Sequence, residues 1–229
     1  MAWRRAAIYG GTFDPVHNGH LEVARRVLPL FRLDEVIFVP ACVPPHKRTA
    51  SISSAFHRFA MLALATEGDA CLRISTLELD APERPYAVET VARVQRELGS
   101  NCHLFFMMGA DSWAEITTWR EWQRLLTMCD HIVVTRPGYE LGTQSNLSER
   151  ARIVDARGLS EKEISLLLDS AGEGPRTFLT DGAIVDVSAT AIRAAVRAGE
   201  WQKLREMVPP AVASYIEKYR IYLKDEFGS

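Results

Sequence analysis

The residues with the clearest chemical potential lie near the start of the chain, in the string Gly10-Gly11-Thr12-Phe13-Asp14-Pro15-Val16-His17-Asn18-Gly19-His20. An apolar run over 6–9 stops at the two glycines, which lets main chain approach a ligand closely. Pro15 stiffens the turn. His17 and His20 then fall at the opening of a segment with helical spacing, and Gly19 leaves space between them. The first turn of a helix offers unpaired amides and a partial positive charge, and both suit phosphate. Two imidazoles there add donors whose charge can rise when a polyphosphate arrives. The chemistry indicated is phosphate binding at the carboxyl end of a first strand. The two histidines could instead form a metal pair, but no third ligand of the right type accompanies them.

The elements that must position these residues can be read from periodicity. Apolar runs at 6–9, 35–39, 103–108 and 131–135 read as buried strands, and 71–79 as an alternating one. Helical spacing covers 18–31, with Asn18 available as a cap, then 54–66, 85–98 and 119–128. Continuous apolar strands separated by amphipathic helices predict a parallel sheet covered on both faces, hence a doubly wound α/β fold. The stretch 138–183 is less regular. A helix is expected from about Ser148, and Ser160 with Glu163 forms a capping box before a second. Short strands follow at 177–179 and 183–187, then three helical segments. The expected organisation is a nucleotide-binding α/β core over 1–187 and a C-terminal helical subdomain, 188–229, packed on it.

Composition removes whole function classes. The 229 residues carry 27 Lys+Arg against 29 Asp+Glu, a net charge of −2. A protein that coats nucleic acid needs a strong basic excess, so nucleic acid is excluded as a partner. Any phosphate must be held by a few placed cations and backbone amides. The 47% hydrophobic and 24% charged content is ordinary globular composition. No run approaches the roughly 18 apolar residues of a membrane span, and the N-terminus lacks a signal-peptide core. Cys42, Cys71, Cys102 and Cys129 form no C-x-x-C pair, and their apolar flanks suit buried free thiols. A reducing cytoplasm is the expected home. A homo-oligomer is compatible with this composition and not required by it.

The eleven-residue string resembles the G-G-T-F-x-P-x-H-x-G-H signature of the H-x-G-H nucleotidyltransferase superfamily. Within it, the chain is similar to the bacterial nicotinate-mononucleotide adenylyltransferase family along nearly its whole length. Pro45-His46-Lys47 matches P-H-K, and Arg58-Phe59-Ala60-Met61-Leu62 matches R-x-x-M-L. Glu89-Thr90, Gly109-Ala110-Asp111-Ser112 and Arg136-Pro137-Gly138 match further short motifs. Val187-Ser188-Ala189-Thr190-Ala191-Ile192-Arg193 matches I-S-x-T-x-I-R, which with the first string is highly specific. One departure is Ala87, standing where the family has the threonine of S-Y-T.

The resemblance implies a Rossmann-like nucleotidyltransferase fold and transfer of the adenylyl group of ATP to nicotinate mononucleotide, with Mg²⁺ accompanying ATP and no protein metal ligands. It implies that His17, His20, Lys47 and Arg193 are catalytic. Gly10, Gly11, Thr12, Phe13, Gly109, Asp111, Ser188, Thr190 and Arg193 would bind ATP. Lys47, Tyr86, Ala87, Thr90, Asp111, Trp119 and Arg136 would bind the acceptor, with Trp119 able to stack on its cationic pyridinium ring. Two alternatives stay open at this point. One is a transferase of the same fold with another acceptor (nicotinamide mononucleotide or phosphopantetheine) or a cytidylyl donor. The other is a nucleotide-binding protein without turnover.

Overall fold

The structure is a computed structural model, and it describes residues 4–42, 52–81, 85–135, 151–170, 174–181 and 187–223. The strands are β1 (Arg4–Gly11), β2 (Glu35–Pro40), β3 (Leu72–Ile74), β4 (Cys102–Gly109), β5 (Asp130–Val134), β6 (Ile153–Asp155) and β7 (Thr177–Thr180). Between and after them run α1 (Asn18–Leu30), α2 (Ala55–Thr66), α3 (Ala87–Leu98), α4 (Ala110–Ala114), a 3-10 turn (Ile116–Thr118), α5 (Trp122–Met128) and α6 (Glu161–Asp169). The chain then forms α7 (Ala189–Arg197), α8 (Trp201–Met207) and α9 (Pro210–Tyr219).

The strands form one sheet in the order β3-β2-β1-β4-β5-β7-β6, and every pairing is parallel. Ile8 of β1 lies between Ile37 of β2 and Phe106 of β4, which sets the central register. Side chains alternate across the sheet and feed two cores. Ala7, Phe105, Met107, Ile132 and Phe178 face one core, closed by Leu21 of α1, Met61 of α2, Ile164 of α6 and Ile192, Leu204 and Ile216 of α7 to α9. Ala6, Ile8, Phe106, Val133 and Leu179 face the other, closed by Val91 of α3, Trp113 of α4 and Leu125 of α5. This is the doubly wound parallel sheet expected. The order reverses between β1 and β4, the topological switch point where such sheets bind ligands at the strands' carboxyl ends. The loop carrying His17 and His20 begins there.

Several local expectations need correction. The cap of α1 is His17, not Asn18, whose side-chain amide donates instead to the Glu206 carbonyl (3.0 Å) and ties α1 to α8. The strand expected over 71–79 runs only from Leu72 to Ile74, because the chain turns where the Leu79 N–H bonds the Thr76 carbonyl (2.7 Å). The helix expected from Trp119 starts at Trp122, after Glu121 in left-handed backbone (φ 52°). Ala151 is helical, and beyond it Ile153–Asp155 forms an edge strand, β6, beside β7 that the periodicity does not show. Ser148 itself and 183–186 of the expected strand 183–187 lie outside the described residues. Ser160 and Glu163 cap α6 reciprocally. Of the four thiols, Cys129 is buried but Cys71 is exposed.

Candidate active site

β1 ends at Gly11, and the reason for glycine there is Phe13. A Cβ on Gly11 would stand 2.8 Å from Cζ of the Phe13 ring. Phe13 takes a left-handed backbone (φ 50°), unusual for a bulky residue, and its ring is buried. That ring packs edge-on against Tyr9 (5.5 Å), Phe38 (5.4 Å) and His20 (5.0 Å). Gly11 therefore makes room for an aromatic floor under His20. A Cβ on Gly10 would make only ordinary contact with Phe106 (3.6 Å).

His17 caps α1 in extended backbone, and its carbonyl receives the His20 N–H (2.9 Å). The His17 N–H donates to Nδ1 of His20 (3.3 Å), and the two rings stack with centroids 3.7 Å apart. That bond occupies the Nδ1 lone pair, so the neutral His20 ring carries its proton on Nε2. Enclosure by Tyr9, Phe13 and His17 holds the His20 pKa well below the usual histidine range, and repulsion from His17 lowers it further. The loop thus presents a neutral imidazole donor at the opening of α1.

Arg193 reaches this loop from 179 residues away: its Nη1 donates to the Asp14 carbonyl (2.6 Å) and its Nη2 to the Thr190 hydroxyl (3.2 Å). The Ser188 hydroxyl caps α7 by accepting the Ala191 N–H (3.2 Å). Arg58 is buried and donates to three carbonyls, Thr12 (2.8 Å), Cys42 (2.9 Å) and Ser53 (3.1 Å). It braces the loops after β1 and β2 against the start of α2. Asp14 is buried too. Its carboxylate accepts from the Tyr222 hydroxyl (2.7 Å) and the Ser53 N–H (3.4 Å).

On the other side of the crevice, Gly109 at the end of β4 caps α4, and the exposed Asp111 sits in its first turn. Trp119 is half-buried and packs edge-on against Phe106 (6.3 Å), the ring that also borders Gly10. Tyr86 caps α3, with the Arg120 guanidinium 4.7 Å over its ring. Ala87 opens α3, where main-chain N–H groups have no helical partner. The Thr90 hydroxyl is buried and donates to Glu78 (2.7 Å), so that hydroxyl is engaged inside the fold. Burial raises the Glu78 pKa, partly opposed by its bonds from Thr90 and the Cys42 main chain. Lys47 and Arg136 lie outside the described residues.

The structure thus brings His17, His20 and Arg193 to one loop and gathers Asp111 and Trp119 at the end of β4 and just beyond. Sequence reasoning passed over Asp14, Glu78 and Tyr222. Asp14 stood inside the signature string, and its buried neighbourhood was its only missing signal. Among the described residues no three His, Cys, Asp or Glu side chains gather to hold a metal ion. Among the described residues the loop offers the His17 and His20 imidazoles and the Asp14 carboxylate, which already accepts from Tyr222 and Ser53, a donor set that suits Mg²⁺ poorly.

A parallel sheet with this loop at its switch point matches a known class. Residues 8–195 match the cytidylyltransferase-like family, and the chain belongs to it. Within that class, the chain is 34% identical over 222 residues to a protein of Thermoanaerobacter sp. (strain X514), covering 97% of this chain and 96% of that one. It is 36% identical to one of Pseudomonas putida (strain GB-1), with the same coverage. Both bear the name probable nicotinate-nucleotide adenylyltransferase. Among solved structures, Plasmodium falciparum nicotinic acid mononucleotide adenylyltransferase complexed with NaAD superposes with a TM-score of 0.71 at 18% identity, over 96% of this chain and 97% of that one. That likeness is one of fold.

Proposed function

We propose that this chain transfers the adenylyl group of ATP to nicotinate mononucleotide, giving nicotinate adenine dinucleotide and pyrophosphate on the path to NAD. The observation that carries the reading is the His17–His20 stack at the opening of α1, with Arg193 bonded to the same loop. A 5′-phosphate oxygen of the acceptor forms a bond to the α-phosphorus of ATP. The bond from that phosphorus to the bridging oxygen breaks, and its electron pair leaves with pyrophosphate. No protein nucleophile is needed, so catalysis rests on alignment and on stabilising shifting charge.

His20, through Nε2–H, donates to the transferring phosphoryl group. His17 and the first amides of α1 bind beside it, and main chain of Gly10 to Phe13 lines the nucleotide. Arg193, with the Ser188 and Thr190 start of α7, grips the β- and γ-phosphates. Lys47 joins from the loop after β2. Gly109 and Asp111 bind nucleotide at the end of β4. Tyr86, Ala87, Trp119 and Arg136 hold the acceptor, whose carboxylate suits the open amides of α3, while Thr90, its hydroxyl bonded to Glu78, braces the start of that helix from inside. Mg²⁺ comes as part of the MgATP substrate, held by phosphate oxygens. Free thiols at Cys42, Cys71, Cys102 and Cys129 support a cytoplasmic home.

The test offers purified protein MgATP with nicotinate mononucleotide, nicotinamide mononucleotide or phosphopantetheine and measures pyrophosphate. Release is expected with the first and at least tenfold slower with the others. Silence with nicotinate mononucleotide overturns the function, and equal rates with the nicotinamide form overturn the specificity.

A further inference from the structure

The segment that follows α9 turns back onto the signature loop. Arg220 ends α9 in left-handed backbone (φ 54°), and the Ile221 N–H returns to the Ile216 carbonyl (3.1 Å). Ile221 is buried in the core that α1 and α7 to α9 share. Tyr222 then adopts φ 71°, a conformation that a tyrosine keeps only when its surroundings hold it. Its ring packs against that core, and its hydroxyl donates to Oδ1 of Asp14 (2.7 Å). Burial and the adjacent carboxylate push the phenol pKa far up, so the hydroxyl stays protonated and donates.

Asp14 is the junction of these contacts. Its carboxylate takes the Tyr222 O–H and the Ser53 N–H, and its carbonyl takes Arg193. Two residues earlier the Thr12 carbonyl takes Arg58, and His17 lies three residues later. Moving Asp14 would move the carbonyl that seats Arg193 and the chain that leads into the histidine stack together.

We propose that Tyr222 is a positioning residue for adenylyl transfer: through Asp14 it fixes the loop that carries His17 and His20, and seats Arg193 on that loop. This rests on the proposed function only for the rate it affects, since the geometry it holds exists without an acceptor. Losing the phenol oxygen leaves a buried carboxylate with one donor fewer, which should loosen the loop while the core stays packed.

The test compares wild type with Tyr222→Phe, which keeps the ring, and with Tyr215→Phe. The latter deletes a hydroxyl of the same kind that meets His57 Nδ1 (3.0 Å) on another face of α9. Amide exchange over 12–20 should quicken about tenfold in Tyr222→Phe and stay within twofold in Tyr215→Phe. With nicotinate mononucleotide and MgATP, kcat should fall about tenfold in Tyr222→Phe while each KM stays within about threefold, a split that general loosening of the fold would not give. Exchange within twofold of wild type overturns the proposal, and so does an unchanged kcat. If the wild-type protein itself fails to use nicotinate mononucleotide, the proposed function falls, and exchange over 12–20 with MgATP affinity still decides the role of Tyr222.

Discussion

Acid should weaken this fold in part through one buried histidine of the sheet. His131 of β5 is fully buried, and neither ring nitrogen has a hydrogen-bond partner in normal geometry among the described residues. Burial lowers its pKa to about 4, and the Asp130 charge and Cys129 main chain offset this only in part. In the unfolded chain the imidazole titrates at its ordinary value of 6.5. Below that pH the unfolded chain takes a proton that the folded chain refuses, so stability is lost as pH falls from 6.5 toward 4. The gap is worth about 3 kcal/mol when fully developed, and about 2 kcal/mol already at pH 5. For a chain of this size that is a drop of roughly 4–8 °C in Tm at pH 5. Other groups also titrate there, so the measurement is the difference between wild type and His131→Leu, by thermal melting at pH 7.5, 6 and 5. The variant should be at least as stable at pH 7.5, because it no longer buries unpaired ring nitrogens. Its advantage should then widen by about 2 kcal/mol by pH 5. A gap that stays constant to within about 0.5 kcal/mol would show that His131 is solvated or partnered in solution and refute the reasoning.

Arg58→Met should cost about 3 kcal/mol or more in urea unfolding, because the Thr12, Cys42 and Ser53 carbonyls lose their donor together. Arg58→Lys should recover less than half, since an ammonium lacks the planar fork; full recovery would contradict the brace. Gly11→Ala should drive a methyl into the Phe13 ring, destabilise the protein by about 1–3 kcal/mol and lower kcat, because that ring floors His20. Wild-type kcat with Gly11→Ala would mean that the ring moves freely. Since the free enzyme holds His20 neutral, its protonation should shape the acid limb of kcat/KM at a lower pH than an ordinary histidine would. An acid limb centred in the ordinary histidine range would remove His20 from the proposed role, as would near-normal turnover in His20→Ala.

The legible parts of this molecule are those whose cause is local. Ala6 to Tyr9 reads as a buried strand because its apolar run has nothing else to do, and β1 forms there. Ser160 and Glu163 announce α6 because each satisfies the other's amide within one turn. The strand β6 escaped notice because three residues, half-exposed at the sheet edge, carry too few apolar positions to show a period. The same locality divides the site. His17 and His20 were visible because helix opening, glycine and imidazole stand within one string, whereas Asn18 looked like the cap only because its partner, the Glu206 carbonyl, lies 188 residues on. Asp14 and Tyr222 are 208 residues apart, and no spacing rule connects them. The charge balance behaves the same way. A net −2 said nothing about where cations stand, and Arg193 reaches the loop only because the α7 to α9 helices share a core with α1. The C-terminal helices are therefore part of the site's geometry, since the packing that buries Ile192 and Ile216 also sets where Arg193 and Tyr222 can reach.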